Sequence, residues 1–194
     1  MANGCESLKL NGWAQECHGN VGGIKAVYIA DAQDVTVAKS AIDAAQSATA
    51  QAEKHVINAS DIKMADGKTF LEYVFAKDTS SLETTMTNDA NGKRFETILN
   101  LQFNRMEGWK HLEIEALAVN EIVILVQDKN NVMHLVGVDN GATLNDASMT
   151  TGVNFEDLNG YTTSLRQVSA YTPFMVKYDG DEATAFNALI GKNL

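Results

Sequence analysis

Four histidines, two cysteines and one dense group of charges are the residues of this chain that could do chemistry. His18, His55, His111 and His134 are scattered. None has a second His, Cys or carboxylate at the spacing that holds a metal, apart from the adjacent Cys17 and His18, which point different ways in any regular element. Surface or strand-face histidines are the simpler reading. Cys5 and Cys17 lie in a Gly- and Asn-rich start; they either pair or stay free, and a reducing compartment favours two free thiols. Arg105, Glu107, Lys110 and Glu113 could form an acid–base cluster, but nothing nearby in the sequence supplies a nucleophile or an oxyanion site. They read instead as a solvated or interfacial salt-bridge network. There is no Gly-x-Ser-x-Gly, no phosphate loop and no dinucleotide fingerprint. The run Gly19 to Gly23 precedes a strand pattern and lacks a Lys-Ser/Thr, so it reads as a hinge. Asp128 to Asn131 and Asp139 to Gly141 lack the alternating acids of a calcium loop and read as turns. The expectation is a protein without catalytic residues, metal or cofactor.

Composition narrows the class. A chain of 194 residues is long enough to bury a real core. A net charge of −10 argues against a surface that grips nucleic acid, which needs clustered Lys and Arg. No apolar stretch approaches the roughly 20 residues of a membrane span. Met1 to Cys5 has neither a basic nor an apolar run, so no secretory signal is expected.

The elements that would position any site centre on residues 94–128. Phe95, Thr97, Leu99, Leu101 and Phe103 alternate with Glu96, Ile98, Asn100, Gln102 and Asn104, which predicts a long half-buried strand. Ile122 to Val126 is a continuous β-branched and apolar run, a central strand. Between them Trp109, Leu112, Ala116 and Val119 recur at helical spacing. This predicts a helix whose Trp109, Leu112 and Ala116 pack on the sheet, with Trp109 a core residue worth roughly 3–5 kcal/mol.

Around this unit hairpins dominate. Ile24 to Ala30 is a strand. Residues 32–53 are alanine-rich and read either as a helix, with Ala38, Ile42, Ala45, Thr49 and Ala52 on a thin face, or as a long loop with a short strand at Val35 to Ala38. Three hairpins are predicted: one across Asp66-Gly67, one across Asn91-Gly92, and one across residues 128–131. Residues 139–160 are polar and glycine-punctuated, a loop. Tyr161, Thr163 and Leu165 share a strand face, Phe174 to Tyr178 is a last strand, and Ala185, Phe186, Leu189 and Ile190 line a short terminal helix ended by Gly191. The fold class is mainly β: a sandwich or barrel with one internal helix and a short C-terminal helix. Residues 1–23 carry Leu8, Leu10 and Trp13 without a period, and read as either a frayed end or an assembly arm ahead of a single domain at 24–194.

The strand RFETILNLQFNRM, the helix EGWKHLEIEALAVN and the following EIVILVQDKNNVMHLVGVDNG resemble tail and virion structural proteins of phages that infect Bacteroidetes, and in arrangement the phage tail tube family. The resemblance covers roughly residues 24–178 and rests on the order of elements and on FNRMEGWKHLEIEALAVNE. It implies a sandwich with a flanking helix, a long loop and terminal arms. It implies homo-oligomeric rings, usually hexameric, whose inner strands join into a continuous barrel and whose stacking makes a conduit for DNA ejection. The partners are then further copies of the chain and other tail proteins, with DNA only as a transient, non-specific cargo and no membrane. The place is the virion tail, assembled in the host cytoplasm.

On that reading Glu83, Thr85, Glu96, Asn100, Gln102 and Asn104 face the lumen, and each acid recurs around the ring as a band of negative charge that keeps DNA from adhering. The alternative for those residues is bulk solvent on a free sandwich. The alternatives for function are another virion ring, a collar or head-decorating protein, or a monomeric β-barrel that binds a small ligand.

Overall fold

The computed structural model describes residues 20–89 and 92–192. Among them are twelve strands: β1 Ile24–Asp31, β2 Val35–Val37, β3 Val56–Asn58, β4 Ile62–Met64, β5 Leu71–Tyr73, β6 Ser81–Asp89, β7 Gly92–Asn104, β8 Ile122–Asp128, β9 Met133–Val136, β10 Thr143–Thr150, β11 Gly160–Ser169 and β12 Phe174–Lys177. Three α-helices join them: α1 Lys39–Ser47, α2 Gly108–Val119 and α3 Ala183–Leu189. The fold is mainly β, as expected, with the short C-terminal helix in place.

Three layers stack around a central sheet. Its six strands run β3-β12-β9-β8-β1-β5. A four-stranded antiparallel sheet, β10-β11-β7-β6, covers one face. The small β2-β4 ladder and helices α1 and α3 contribute to the core on the other. The continuous apolar run of β8 follows from this position between layers: Val123 and Leu125 enter the cluster with Phe186 and Leu189, whereas Ile122, Ile124 and Val126 enter the cluster with Leu99, Leu101 and Leu165. The sheets do not close into a barrel. β8 instead spans the width of the four-stranded sheet. Its first residue, Ile122, bridges Ala142 beside β10, and Lys129, just past its end, ion-pairs with Asp78 shortly before β6.

Two expectations change, and a third region combines its two readings. The turn at Asp66-Gly67 exists, with Gly67 at φ 73°, but its arms do not form a hairpin. β4 pairs with β2, and β5 pairs with the edge of β1. A turn dipeptide specifies only its own backbone; longer-range burial decides which strand each arm meets. Residues 139–160 are not one loop, because β10 lies within them. Residues 32–53 hold both a short strand and a short helix, and of the proposed helical face only Ala45 is buried.

Helix α2 presents a different stripe from the one expected. Its buried residues are Ile114 and Leu117, while Trp109 is 66% and Leu112 68% exposed and Ala116 is half-buried. The inward stripe is Lys110, Glu113, Ile114 and Leu117, at the same helical spacing. Its polar members have tasks that side-chain hydropathy hides. Lys110 Nζ donates to the carbonyls of Asn104 and Arg105, 2.9 Å each, and pairs with Glu107 at 3.0 Å. Glu113 accepts the phenol proton of Tyr73. These bonds fix the turn from β7 into the helix, where Arg105 sits at φ 64°, and they rotate Trp109 and Leu112 outward.

Candidate functional site

The outward face of the four-stranded sheet is the feature the fold leaves open. Alternation along β7 turns Thr97, Leu99 and Leu101 into the core, all at 2% exposure or less. The even-numbered residues Glu96, Ile98, Asn100, Gln102 and Asn104 point the other way. Neither hydrophobic cluster contains a residue of that face. Strand register carries the pattern across the sheet. On β6, Ser81, Glu83 and Thr85 stand opposite Asn100, Ile98 and Glu96. On β11, Thr162, Ser164 and Arg166 stand opposite Gln102, Asn100 and Ile98. On β10, Asp146 and Ser148 stand opposite Ser164 and Thr162. The structure thus brings all six sequence-selected polar residues, Glu83, Thr85, Glu96, Asn100, Gln102 and Asn104, onto one continuous surface of hydroxyls, amides and a few charges.

The electrostatics of that surface temper the expected contribution of Glu96 to a band of negative charge. Arg166 Nε donates to Glu96 Oε1 at 2.5 Å. That hydrogen bond, with the neighbouring guanidinium charges, holds the Glu96 carboxyl below the usual carboxylate range. Asn100 Nδ2 donates to Ser81 Oγ at 3.3 Å. Among the described side chains the acids Glu83, Glu96 and Asp146 share the face with Arg94 and Arg166, which leaves a small net negative charge and not a strongly acidic surface. Arg166 could not be assigned to this face from spacing along β7 alone; the signal lay in the alternation of β11, where Tyr161, Thr163 and Leu165 are buried and the residues between them are not.

Among the described residues the sheet has two free edges: β6 is bonded only to β7 and β10 only to β11, and both are exposed along most of their length. They are of near-equal length, nine and eight residues. Because every neighbour is antiparallel, β6 and β10 run in opposite senses. β10 escapes the eye in the sequence because of a bulge: its register with β11 shifts between Leu144 and Asp146, and the extra Asn145 breaks the period of two. At the far end of the sheet a Cβ on Gly160 would lie 2.0 Å from the Phe103 carbonyl oxygen, so only glycine lets β11 start against β7.

The other candidates resolve as structure. His55 stacks on Phe174 with ring centroids 4.2 Å apart, and its Nε2 meets Thr172. His111 lies edge-on to Tyr161. His134 is 3.6 Å from Asp128, whose other oxygen accepts the amides of Asn130 and Val132 and so closes the β8–β9 turn. That turn borders a cleft of about 420 Å³ between the sheets, lined among others by Ser80, Thr84, Asp128 and His134. Among the described residues no group of three or more His, Cys, Asp or Glu is placed to hold a metal ion, and no helix is long and apolar enough to cross a membrane. Cys5, Cys17, His18 and the arm residues Leu8, Leu10 and Trp13 lie outside the described residues. Comparisons with family models, with characterised proteins and with solved structures found no match.

Proposed function

We propose that the protein is a structural virion component, a phage tail tube subunit that forms stacked homo-oligomeric rings around a conduit for DNA. The observation that carries this reading is the four-stranded sheet, which among the described residues has one polar face left uncovered and two free edges of matching length and opposite sense. A lone sheet of this kind exposes two rows of unpaired backbone groups, which proteins normally blunt or cover. Joining β6 of one copy to β10 of the next removes both rows and turns the polar face into one wall of a water-filled channel.

The stagger of the edges suits closure. The midpoint of β6, Thr85, lies level with Glu96 of β7; the midpoint of β10, at Asp146 and Ala147, lies level with Asn100 and Leu101. Each copy is therefore offset from the next by four to five residues, or roughly 13–17 Å along the strands. Four strand spacings separate equivalent positions, about 19 Å. The strands would then tilt by roughly 35–40° from the ring axis, inside the range of known barrels. Six copies, the number implied by the family resemblance, would give a barrel roughly 45–50 Å across from backbone to backbone, wider than the 16–18-stranded barrels that already hold an aqueous channel.

A near-neutral wall of hydroxyls and amides suits the same role, since it offers no cluster of cations to condense on phosphates. The test is negative-stain electron microscopy of the purified chain at high concentration. Rings or tubes are expected; featureless particles of monomer size would contradict the proposal.

A further inference from the structure

We infer that β6 of one copy pairs with β10 of the next in one particular register, which sets Met86 opposite Leu144, Thr84 opposite Ala147 and Leu82 opposite Met149. The inference rests on the ring reading above and goes beyond it by naming the contacts. Its starting point is that both free edges carry exposed apolar side chains on the core side of the sheet: Met86 of β6 is 58% exposed and Met149 of β10 is 44% exposed. On β6 that side carries Leu82, Thr84 and Met86, opposite Leu99, Thr97 and Phe95 of β7. On β10 it carries Leu144, Ala147 and Met149, opposite Leu165, Thr163 and Tyr161 of β11. The other side of both strands belongs to the polar face.

Joining the edges must keep core side with core side, because a slip of one residue turns every side chain over. Only even staggers between copies survive. A stagger of two residues carries Met149 past the start of β6, and one of eight carries Leu144 past its end. A stagger of six faces Leu144 with Asn88 and Met149 with Thr84. A stagger of four matches Leu144 with Met86 and Met149 with Leu82, leaving small Ala147 against Thr84. It also pairs β10 along its whole length, since Thr143 falls opposite Thr87 and Thr150 opposite Ser81. The two apolar pairs then cover Met86 and Met149, which the isolated subunit leaves exposed, with Leu144 and Leu82, which already pack against the core at the two edges. The occupant of each edge is thus a second copy in head-to-tail, heterologous contact, the geometry that closes into a ring.

The test is cysteine cross-linking in a Cys5→Ser, Cys17→Ser background. Directly opposite residues on antiparallel strands have Cα atoms about 4.5–5.5 Å apart, within disulfide reach; diagonal neighbours at about 7–8 Å are outside it. The chain bearing Met86→Cys and Leu144→Cys is expected to give a ladder of covalent oligomers on a non-reducing gel after mild oxidation, and the chain bearing Met86→Cys and Ala147→Cys is not. As a second format, Met86→Cys chains mixed with Leu144→Cys chains are expected to yield a cross-linked dimer that neither yields alone. A ladder from the Ala147→Cys variant instead, self-cross-linking of either single variant, or no cross-link in assemblies that sediment as rings would each overturn this register while leaving the ring reading standing. If the background chain stays monomeric at high concentration, the ring reading falls and this inference with it.

Discussion

Helix α2 offers an internal control in which side-chain size and burial point in opposite directions. Leu117 is 6% exposed and packs in the cluster with Leu99, Leu101 and Leu165. Truncating such a site removes its transfer energy and leaves a cavity, which costs about 2–5 kcal/mol. Trp109, eight residues earlier, is the larger side chain but 66% exposed. If the remaining third of a tryptophan covers roughly 80 Å² of apolar surface, its burial is worth about 2 kcal/mol at most. Alanine recovers some of that, about 0.5 kcal/mol, through its better helix propensity. Trp109→Ala is therefore expected to cost about 1 kcal/mol and Leu117→Ala about 3 kcal/mol. At roughly 2–4 °C per kcal/mol for a protein of this size, the melting temperature should fall by about 2–4 °C and about 6–12 °C respectively. The measurement is calorimetric melting of dilute, unassembled protein, with helix content checked by circular dichroism. A larger loss for Trp109→Ala than for Leu117→Ala would refute the assignment of the inward stripe.

Further outcomes follow from the same geometry. Gly160→Ala should cost about 3 kcal/mol or more, because the new Cβ meets the Phe103 carbonyl at 2.0 Å; denaturant unfolding checks it. Gln102→Ala should change subunit stability by less than about 0.5 kcal/mol, as for a surface position, whereas Leu101→Ala should not be tolerated so lightly. Glu96 has its pKa depressed chiefly by the hydrogen bond from Arg166. Its contribution is present above the unfolded carboxylate range and is lost as pH falls through the lower folded value, so Glu96→Gln should flatten the acid limb of a stability–pH curve. The Tyr73 phenol is raised by burial and then by its hydrogen bond to Glu113, so in an alkaline absorbance titration Tyr73→Phe should remove only absorbance that develops above the ordinary phenol range.

Where the period of two is unbroken, the sequence was a good guide. β7 alternates from Phe95 to Asn104 without interruption, and each side chain lies on the face its parity assigns. β8 read as central because both of its faces are apolar, and both are covered. β10 was hidden for the opposite reason: Asn145 inserts one residue, so Leu144 and Ala147 are three apart and the strand resembles a loop. The stripe of α2 is not legible from residue types, because Lys110 and Glu113 look solvent-facing. Their partners, the carbonyls of Asn104 and Arg105 and the phenol of Tyr73, come from segments that local patterning does not connect. The small net charge of the polar face was likewise invisible, since Arg166 lies 70 residues from Glu96.

The most direct measurement of the central claim is a cryo-electron microscopy map of the protein assembled at high concentration, resolved well enough to trace the four-stranded sheet. The expected result is a closed ring in which these sheets form one continuous barrel, with Glu83, Asn100 and Gln102 facing the axis and Leu99 and Leu101 buried behind them. A particle whose sheets stay unjoined, or a ring with Asn100 and Gln102 on its outer wall, would contradict it.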